Sequence, residues 1–329
     1  MNQLTSSLPV LRILHDQDLE ALIQFSHRTT YAPNTLLIQS GKEIDDIFLR
    51  LTGQLAASWS NYEHSELFSV GELAGATSLL SDQPALISIL AEQSSEVLAI
   101  PKARLKTELS RDRGFAARFY QLLAINLSEY LRDLSTSLVN RQIREGEPLR
   151  KVLMFFATLN DADIAWMLAN GSAEKSTAAT ILIQQGQPVP AVYLLLDGTV
   201  GIDISIAGQT RELAKRGKGD ILGEISFVDG GVASASVRAV DETWVLRISQ
   251  AQLAMKLQED AAFAGRFYRA TAQVLSSRCQ DLLIRSGIAS AAIAQDAEEL
   301  EEDELDLDIL EGTAIAGTRF DWIIQQLRR

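Results

Sequence analysis

The sequence has 329 residues, of which 47% are hydrophobic and 22% are charged, with a formal net charge of −13 and one cysteine. This composition excludes a disordered chain, and the length suffices for about two globular domains. No stretch reaches the roughly 18 apolar residues that a membrane span needs, the first residues lack the features of a secretory signal, and one cysteine cannot form an internal disulfide. The sequence therefore predicts a cytoplasmic protein without a membrane anchor.

An internal repeat organises most of the chain. The stretch LLIQSGKEIDDIFLRLTGQL, which begins at Leu36, recurs as ILIQQGQPVPAVYLLLDGTV from Ile181, and FAARFY at Phe115 recurs as FAGRFY at Phe263. The offsets are 145 and 148 residues, so the second copy has three more residues between the two matches. A repeat of this length predicts two copies of one domain, which we place at residues 8–140 and 146–287.

Each copy is predicted to be mainly β with helices, that is, of the α+β class. Short β-branched runs are broken at glycine and proline, which is the pattern of strands joined by tight turns, and a helical stretch follows. Such a helix suits either a homodimer seam or packing inside the same chain, and the sequence leaves both alternatives open. In the first copy, the leucines that share one face of this helix are Leu127, Leu131, Leu134 and Leu138.

Four segments carry a resemblance to a known family, namely GKEIDDIFLRLTGQL in the first copy and GQPVPAVYLLLDGTV, GKGDILGEISFVDGG and ETWVLRISQAQL in the second. They resemble the cyclic nucleotide-binding domain, which occurs in the bacterial catabolite activator protein and, in tandem, in the regulatory subunit of protein kinase A. The resemblance implies two β-barrels of the double-stranded β-helix type with flanking helices. It also implies a phosphate-binding cassette in each barrel, where a glutamate binds the ribose and a later arginine neutralises the cyclic phosphate.

The first cassette, AGATSLLSDQPALISI, departs from the family pattern at both of these positions. It aligns Ala76 with the ribose glutamate and Ala85 with the phosphate arginine, and Leu86, Ile87 and Ile89 surround the second position with apolar side chains. Because an ionised phosphate is not stable among apolar groups without a counter-charge, we expect no cyclic nucleotide in this copy.

The second cassette keeps more of the family pattern. Ala233 stands at the arginine position, and Ser234 after it is able to donate one hydrogen bond to a phosphate oxygen. We expect Arg238 not to substitute for the arginine, because an odd number of positions along a strand places it on the opposite face. Two alternatives stay open: a weak cyclic nucleotide pocket in this copy alone, or a glutamate that only braces the cassette helix. No cofactor is predicted. The residues that match the family are Gly223, Glu224, Ile225 and Ser226.

The sequence offers neither a catalytic site nor a DNA-binding module. The three histidines, His15, His27 and His64, have no metal-ligand spacing, and GEISF lacks the Gly-x-Ser-x-Gly order of a hydrolase elbow. The second copy ends at CQDLLIRSG and is followed by Ala-rich and acidic sequence, which does not suit a helix-turn-helix, and no basic patch is visible. We therefore expect neither an enzyme nor a DNA-binding protein.

An acidic segment follows the second copy. The stretch QDAEELEEDELDLDILE, from Gln295 to Glu311, contains ten acidic residues and no basic one, so the rest of the chain holds 33 acidic and 30 basic residues. The negative charge therefore belongs mainly to this segment. We predict a disordered acidic linker over residues 288–313.

The last segment, residues 314–329, is predicted to be an amphipathic helix that begins with a capping box at Thr318 and Asp321. Because so short a helix is marginal alone in water, we expect it to fold against a surface, either that of an unknown protein partner or that of its own barrels. The sequence thus favours a non-enzymatic regulatory or adaptor protein of bacterial type that acts through protein contacts, with cyclic nucleotide sensing in the second domain as the alternative. The predicted docking residues are Phe320, Trp322, Ile323, Ile324 and Leu327.

Overall fold

A computed structural model describes residues 9–61, 64–69, 73–81, 83–138, 154–289 and 307–328. Contacts divide the chain into two compact units. The first unit consists of Met1–Leu134 and Leu275–Glu304, and the second consists of Ser135–Val274 and Leu305–Arg329. This division differs from the predicted domains, because the end of the second repeat, from Leu275 onward, belongs to the first unit.

The first repeat has short strands between flanking helices, as the sequence predicts. Its elements are a 3-10 helix (Pro9–Ile13), α1 (Asp16–Phe25), β1 (His27–Tyr31), β2 (Leu36–Ile38), β3 (Asp46–Thr52), β4 (Leu55–Asn61), β5 (His64–Ser69), β6 (Leu73–Ala74), α2 (Ala76–Ser81), β7 (Ser88–Ala91), β8 (Ser95–Pro101), α3 (Lys102–Arg111) and α4 (Arg113–Ser137). The strands form two antiparallel sheets, with the orders β1-β8-β3-β6 and β2-β7-β4-β5.

The second repeat has the same order of elements. They are α5 (Met154–Thr158), α6 (Asp161–Asn170), β9 (Gly171–Ser176), β10 (Ile181–Ile183), β11 (Ala191–Asp197), β12 (Val200–Ile206), β13 (Gln209–Arg216), β14 (Ile221–Leu222), α7 (Glu224–Asp229), β15 (Ser236–Ala239), β16 (Thr243–Ser249), α8 (Gln250–Glu259) and α9 (Ala261–Arg285). The sheets have the orders β9-β16-β11-β14 and β10-β15-β12-β13, which match those of the first repeat strand for strand. The helix α10 (Leu307–Leu327) follows the second repeat.

Apolar side chains fill the interior of the second barrel. Every residue of β11 except the last is buried, since this strand lies between β14 and β16 and contributes to the core. Burial of these side chains is the main favourable term that holds two short-stranded sheets together. One apolar cluster here contains Ile183, Val189, Ala191, Tyr193, Leu195, Val200, Leu222, Ala233, Val237 and Val245.

The predicted leucine row, three members of which lie on α4 and the fourth directly after it, is buried within a single chain. Leu127, Leu131, Leu134 and Leu138 are 1%, 7%, 0% and 1% exposed, respectively. Of the two alternatives that the sequence left open for this face, packing inside the same chain is the one observed, and these leucines do not form an exposed dimer seam.

Within the described residues, none of the helices combines the length and the hydropathy that crossing a lipid bilayer would need. The same part of the chain contains no group of three or more His, Cys, Asp or Glu side chains placed to hold a metal ion.

A buried carboxylate joins the helix before each barrel to the helix after it. Arg118 of α4 donates to Asp18 of α1 through Nε at 2.6 Å and Nη2 at 2.8 Å, and Arg266 of α9 donates to Asp163 of α6 at the same two distances. The Asp18 and Asp163 side chains are only 5% and 4% exposed. These arginines are the fourth residues of FAARFY and FAGRFY, so the repeated hexapeptide has a structural role that the sequence alone did not reveal.

Loss of one of these arginines should destabilise the protein. Arg266→Gln leaves the buried Asp163 carboxylate without its bidentate partner, and we expect the free energy of unfolding to fall by about 2–3 kcal/mol. The matched control is Arg104→Gln, which removes a surface ion pair between Arg104 and Glu108 within α3. This variant should lower the free energy of unfolding by less than about 1 kcal/mol. Urea unfolding followed by circular dichroism measures both, and equal effects of the two variants would contradict the assignment.

The pKa of Asp18 gives this contact a pH dependence. Burial raises the pKa of the carboxyl, but the hydrogen bonds from Arg118 and from the His15 backbone N–H, together with the Arg118 charge, outweigh burial and hold the pKa below its ordinary value of 3.8. A carboxyl whose pKa is lower in the folded state stabilises the fold above the unfolded-state pKa. That stabilisation is lost as the pH falls through the folded-state pKa.

We therefore expect Asp18→Asn to flatten the loss of stability that occurs below about pH 4. The measurement is the urea midpoint in a series of increasingly acidic buffers, for the native sequence and the variant. The slope against pH should be smaller in the variant, and equal slopes would show that Asp18 does not contribute.

Candidate ligand-binding cassettes and the C-terminal helix

The second cassette begins where β14 ends. Gly223 has φ +80°, and a Cβ at this position would lie 2.8 Å from the Ala191 carbonyl oxygen, so both the backbone conformation and the space require glycine. The helix α7 starts at the next residue, with Glu224 and Ser226 2% and 4% exposed and Ile225 half-buried. The four residues that match the family pattern therefore lie together at the start of this short helix.

Ala233 is fixed against the barrel interior. Its N–H donates to the Gln187 carbonyl and its own carbonyl accepts from the Gly186 N–H, both at 2.9 Å. The residue is 5% exposed and belongs to the apolar cluster of the second barrel, whereas Ser234 beside it is half-buried. The position that the resemblance assigns to the phosphate arginine thus holds a methyl group in an apolar environment.

The first cassette repeats this geometry. Gly75 has φ +88° before α2, the Ala85 N–H donates to the Lys42 carbonyl at 2.9 Å, and the Ala85 carbonyl accepts from the Gly41 N–H at 2.7 Å. Ala85 is also 5% exposed. The two pairs of backbone hydrogen bonds place Ala85 and Ala233 at equivalent positions, as the sequence alignment of the two copies predicts.

A cavity of about 50 Å³ lies beside the first cassette. This volume is several times the roughly 10–15 Å³ that one water needs and well below the roughly 300–1,000 Å³ of a typical small-molecule pocket. Most of its wall is apolar, and the polar side chains come from helices: Thr77 from α2, Asn126 and Tyr130 from α4, and Gln280 from α9. Sequence reasoning missed Gln280 and its neighbour Leu283, because nothing in a repeat tells which cassette a distant helix will line.

The single cysteine lies in the same helical layer. Cys279 of α9 is fully buried, and its Sγ is 3.9 Å from the Leu127 carbonyl oxygen of α4. Burial raises the pKa of the thiol well above its ordinary value, and burial together with the nearby Cys279 raises the pKa of Tyr130. Neither group is therefore ionised near neutral pH, and Tyr130, which lines the cavity, adds no charge to its wall.

Arg238 is committed to acidic partners on the neighbouring strands. Its Nε donates to the Asp203 carboxylate at 3.0 Å, and its Nη2 lies 3.7 Å from the Glu212 carboxylate. Val237 and Ala239 on either side of it are buried, so Arg238 points to the other face of β15. This agrees with the expectation that Arg238 does not replace the missing cassette arginine.

The C-terminal helix differs from its prediction in extent. It covers Leu307–Leu327, so it begins seven residues before residue 314 and includes the end of the predicted linker, whereas residues 290–306 of that linker lie outside the described residues. The capping-box start at Thr318 was wrong, because Thr318 lies inside the helix and its hydroxyl donates to the Ala314 carbonyl at 3.0 Å. Packing against another helix stabilises turns that local signals do not mark.

The apolar face of α10 docks in cis. Ala316, Phe320 and Ile323 are 0%, 1% and 1% exposed, and the Phe320 ring lies 5.3 Å from the Phe156 ring of α5. Of the two surfaces that the sequence left open, the observed one is therefore the protein's own. Among the other predicted docking residues, Ile324 and Leu327 are half-buried, and only Trp322 is exposed, at 40%.

Comparison with known proteins agrees with the two-copy architecture. The family model described as cyclic nucleotide-binding domain matches residues 28–112 and 174–260, inside the two predicted domains. The cAMP-dependent protein kinase type II regulatory subunit of Drosophila melanogaster is 20% identical over 230 residues, which is 70% of this chain and 54% of that protein, so the chain spans about half the length of this relative.

Two solved structures illustrate the similarity. The regulatory domain of Toxoplasma gondii PKA with cAMP has 15% identity and a TM-score of 0.29, and the match covers 79% of this chain and 97% of that one. A cyclic nucleotide-binding domain from Methylobacillus flagellatus has 21% identity and a TM-score of 0.38, with 41% and 80% covered. The predicted fold class and the predicted family are both confirmed. Because the family model matches just over half of the chain, in two successive copies, the chain belongs to the cyclic nucleotide-binding domain family.

Proposed function

We propose that this chain is a non-enzymatic regulatory protein whose two cyclic nucleotide-binding domains act through protein contacts, without a bound cyclic nucleoside monophosphate. The observation that carries the proposal is the pair Ala85 and Ala233. Both are 5% exposed, and both are held by the same two backbone hydrogen bonds at the position where the family resemblance calls for an arginine.

The absence of an arginine at these positions weakens the binding of a cyclic phosphate for electrostatic reasons. A charge-assisted hydrogen bond contributes about 1.5–3 kcal/mol, so its loss weakens binding about tenfold to a hundredfold or more. A phosphate at Ala233 would also leave water for an apolar cluster without gaining a counter-charge, which adds a desolvation cost. Arg238 does not relieve this cost, since it is paired with Asp203 and Glu212.

A second candidate is a weak cyclic nucleotide sensor in the second domain. It is favoured by Gly223 and Glu224, which keep the backbone turn and the buried carboxylate of the family pattern, whereas the first domain has Ala76 at the glutamate position. In this candidate Glu224 accepts hydrogen bonds from the ribose and Ser234 donates one to the phosphate.

Restoring the arginine tests the proposal. We expect the native chain to show no binding of cyclic AMP or cyclic GMP at micromolar concentration in titration calorimetry. Ala233→Arg should create binding in the second domain, with an affinity gain of about tenfold or more over the native chain. The matched control is Ala85→Arg, which places the same side chain in the first cassette. Its affinity for a cyclic nucleotide should rise less, because that cassette has Ala76 at the glutamate position.

Micromolar binding by the native chain would contradict the proposal. If Glu224→Ala then abolished that binding, the sensor candidate would replace it. A gain in Ala85→Arg equal to that in Ala233→Arg would show that the glutamate position does not distinguish the two cassettes.

A further inference from the structure

Phe320 of α10 lies between two parts of the second unit. Its ring is 5.3 Å from the Phe156 ring of α5 on one side and 5.0 Å from the Lys218 ammonium nitrogen on the other. The same ammonium is 3.9 Å from the Asp321 carboxylate. The ring therefore makes an edge-to-face aromatic contact and a cation–π contact at once, and it is 1% exposed.

Lys218 belongs to the turn that leads into the second cassette. The turn is tied to β11, because the Gly219 N–H donates to the Leu195 carbonyl and the Leu195 N–H donates to the Asp220 carbonyl, both at 2.8 Å. Strand β14 follows at Ile221, and the cassette glycine Gly223 comes directly after it. Lys218, which contacts α10, therefore lies five residues before the cassette glycine, in a turn held to β11 by two backbone hydrogen bonds.

A chain of aromatic rings forms a second route from α10 to the cassette. The ring centroids of Phe156 and Phe155 are 5.8 Å apart, and those of Phe155 and Phe267 of α9 are 5.7 Å apart. The Phe267 centroid is in turn 5.8 Å from that of Phe227 in the cassette helix α7. Each of these pairs is close to perpendicular, which is a favoured aromatic geometry. With Phe320, the five rings connect the C-terminal helix to the cassette helix without a gap.

Arg319 fixes the helix on this surface. Its Nε donates to the Asp161 carboxylate at 2.8 Å, and its Nη1 donates to the Phe156 carbonyl at 3.0 Å and also to the Leu159 carbonyl. These carbonyls lie at the C-terminal end of α5, where a positive charge complements the helix dipole. The Arg319 side chain is 18% exposed, whereas its Asp161 partner is 88% exposed, so the two carbonyl contacts contribute more to the anchoring than the solvated ion pair does.

We propose that α10 is a cis-acting clamp, which holds α5 against the cassette side of the second domain and whose docking is energetically coupled to the conformation of the cassette. The coupling runs through Phe320, by way of Lys218 and of the ring chain to Phe227. It is reciprocal, so that a change at either end alters the stability of the other.

Hydrogen exchange of the full-length chain, measured by mass spectrometry without any ligand, tests the clamp. Arg319→Ala should raise exchange in peptides from residues 307–327 about tenfold or more, and exchange in peptides covering 221–229 about fivefold or more. Arg328→Ala, at the exposed residue directly after this helix, is the matched control and should change neither. Arg319→Lys keeps the charge but not the planar set of donors, so its exchange rates in both sets of peptides should lie between those of Arg319→Ala and Arg328→Ala.

The reciprocal experiment starts at the cassette. Phe227→Leu removes one ring from the ring chain and should raise exchange in α10, and Val228→Ala, which truncates a buried side chain of the same helix outside the ring chain, should raise it less. If Arg319→Ala raises exchange only in α10, the helix is a passive cover and the coupling is refuted. If it leaves α10 at the native rate, the anchoring role of Arg319 is refuted. Neither outcome depends on whether a cassette binds a nucleotide.

Discussion

The bidentate pair between an arginine after each barrel and an aspartate before it is the constraint on which both repeats depend. It appears twice with the same atoms and the same distances, at Arg118 with Asp18 and at Arg266 with Asp163. Because each aspartate is almost fully buried, the flanking helices cannot separate without leaving a carboxylate in a poorly solvated position. In each domain this fixed helical frame supports a β-barrel whose cassette holds an alanine where the family resemblance calls for an arginine.

The cassettes keep their shape because backbone groups make it. Positive φ at Gly75 and Gly223, and the paired hydrogen bonds at Ala85 and Ala233, do not depend on any ligand. In these cassettes the backbone geometry and the side-chain chemistry are therefore set by different groups. A fold-level match reports the geometry, while the chemistry of an anion site depends on a few side chains, which is why family membership does not settle what the pockets hold.

The sequence predicted what local and repeated signals encode. The two copies, their strands and turns, and the equivalence of Ala85 with Ala233 follow from spacing and from residue type. Arg238 pairs with acidic residues as expected, but Ala233 precedes the strand β15, so the strand period on which that expectation was based does not relate the two residues. The extent of α10 and its docking surface did not follow, because they depend on Phe156 and Asp161, more than 140 residues earlier in the chain. Likewise, no local signal in the sequence indicates that Gln280 lines a cavity beside the first cassette.

The burial of Cys279 has a practical consequence. It is the one cysteine of the sequence, it is fully enclosed between α9 and α4, and its thiol is held in the unreactive protonated form. A cysteine introduced at an exposed position will therefore be the site that maleimide reagents modify in the folded protein. Spectroscopic probes can be attached to this chain one at a time, with the native thiol left in place.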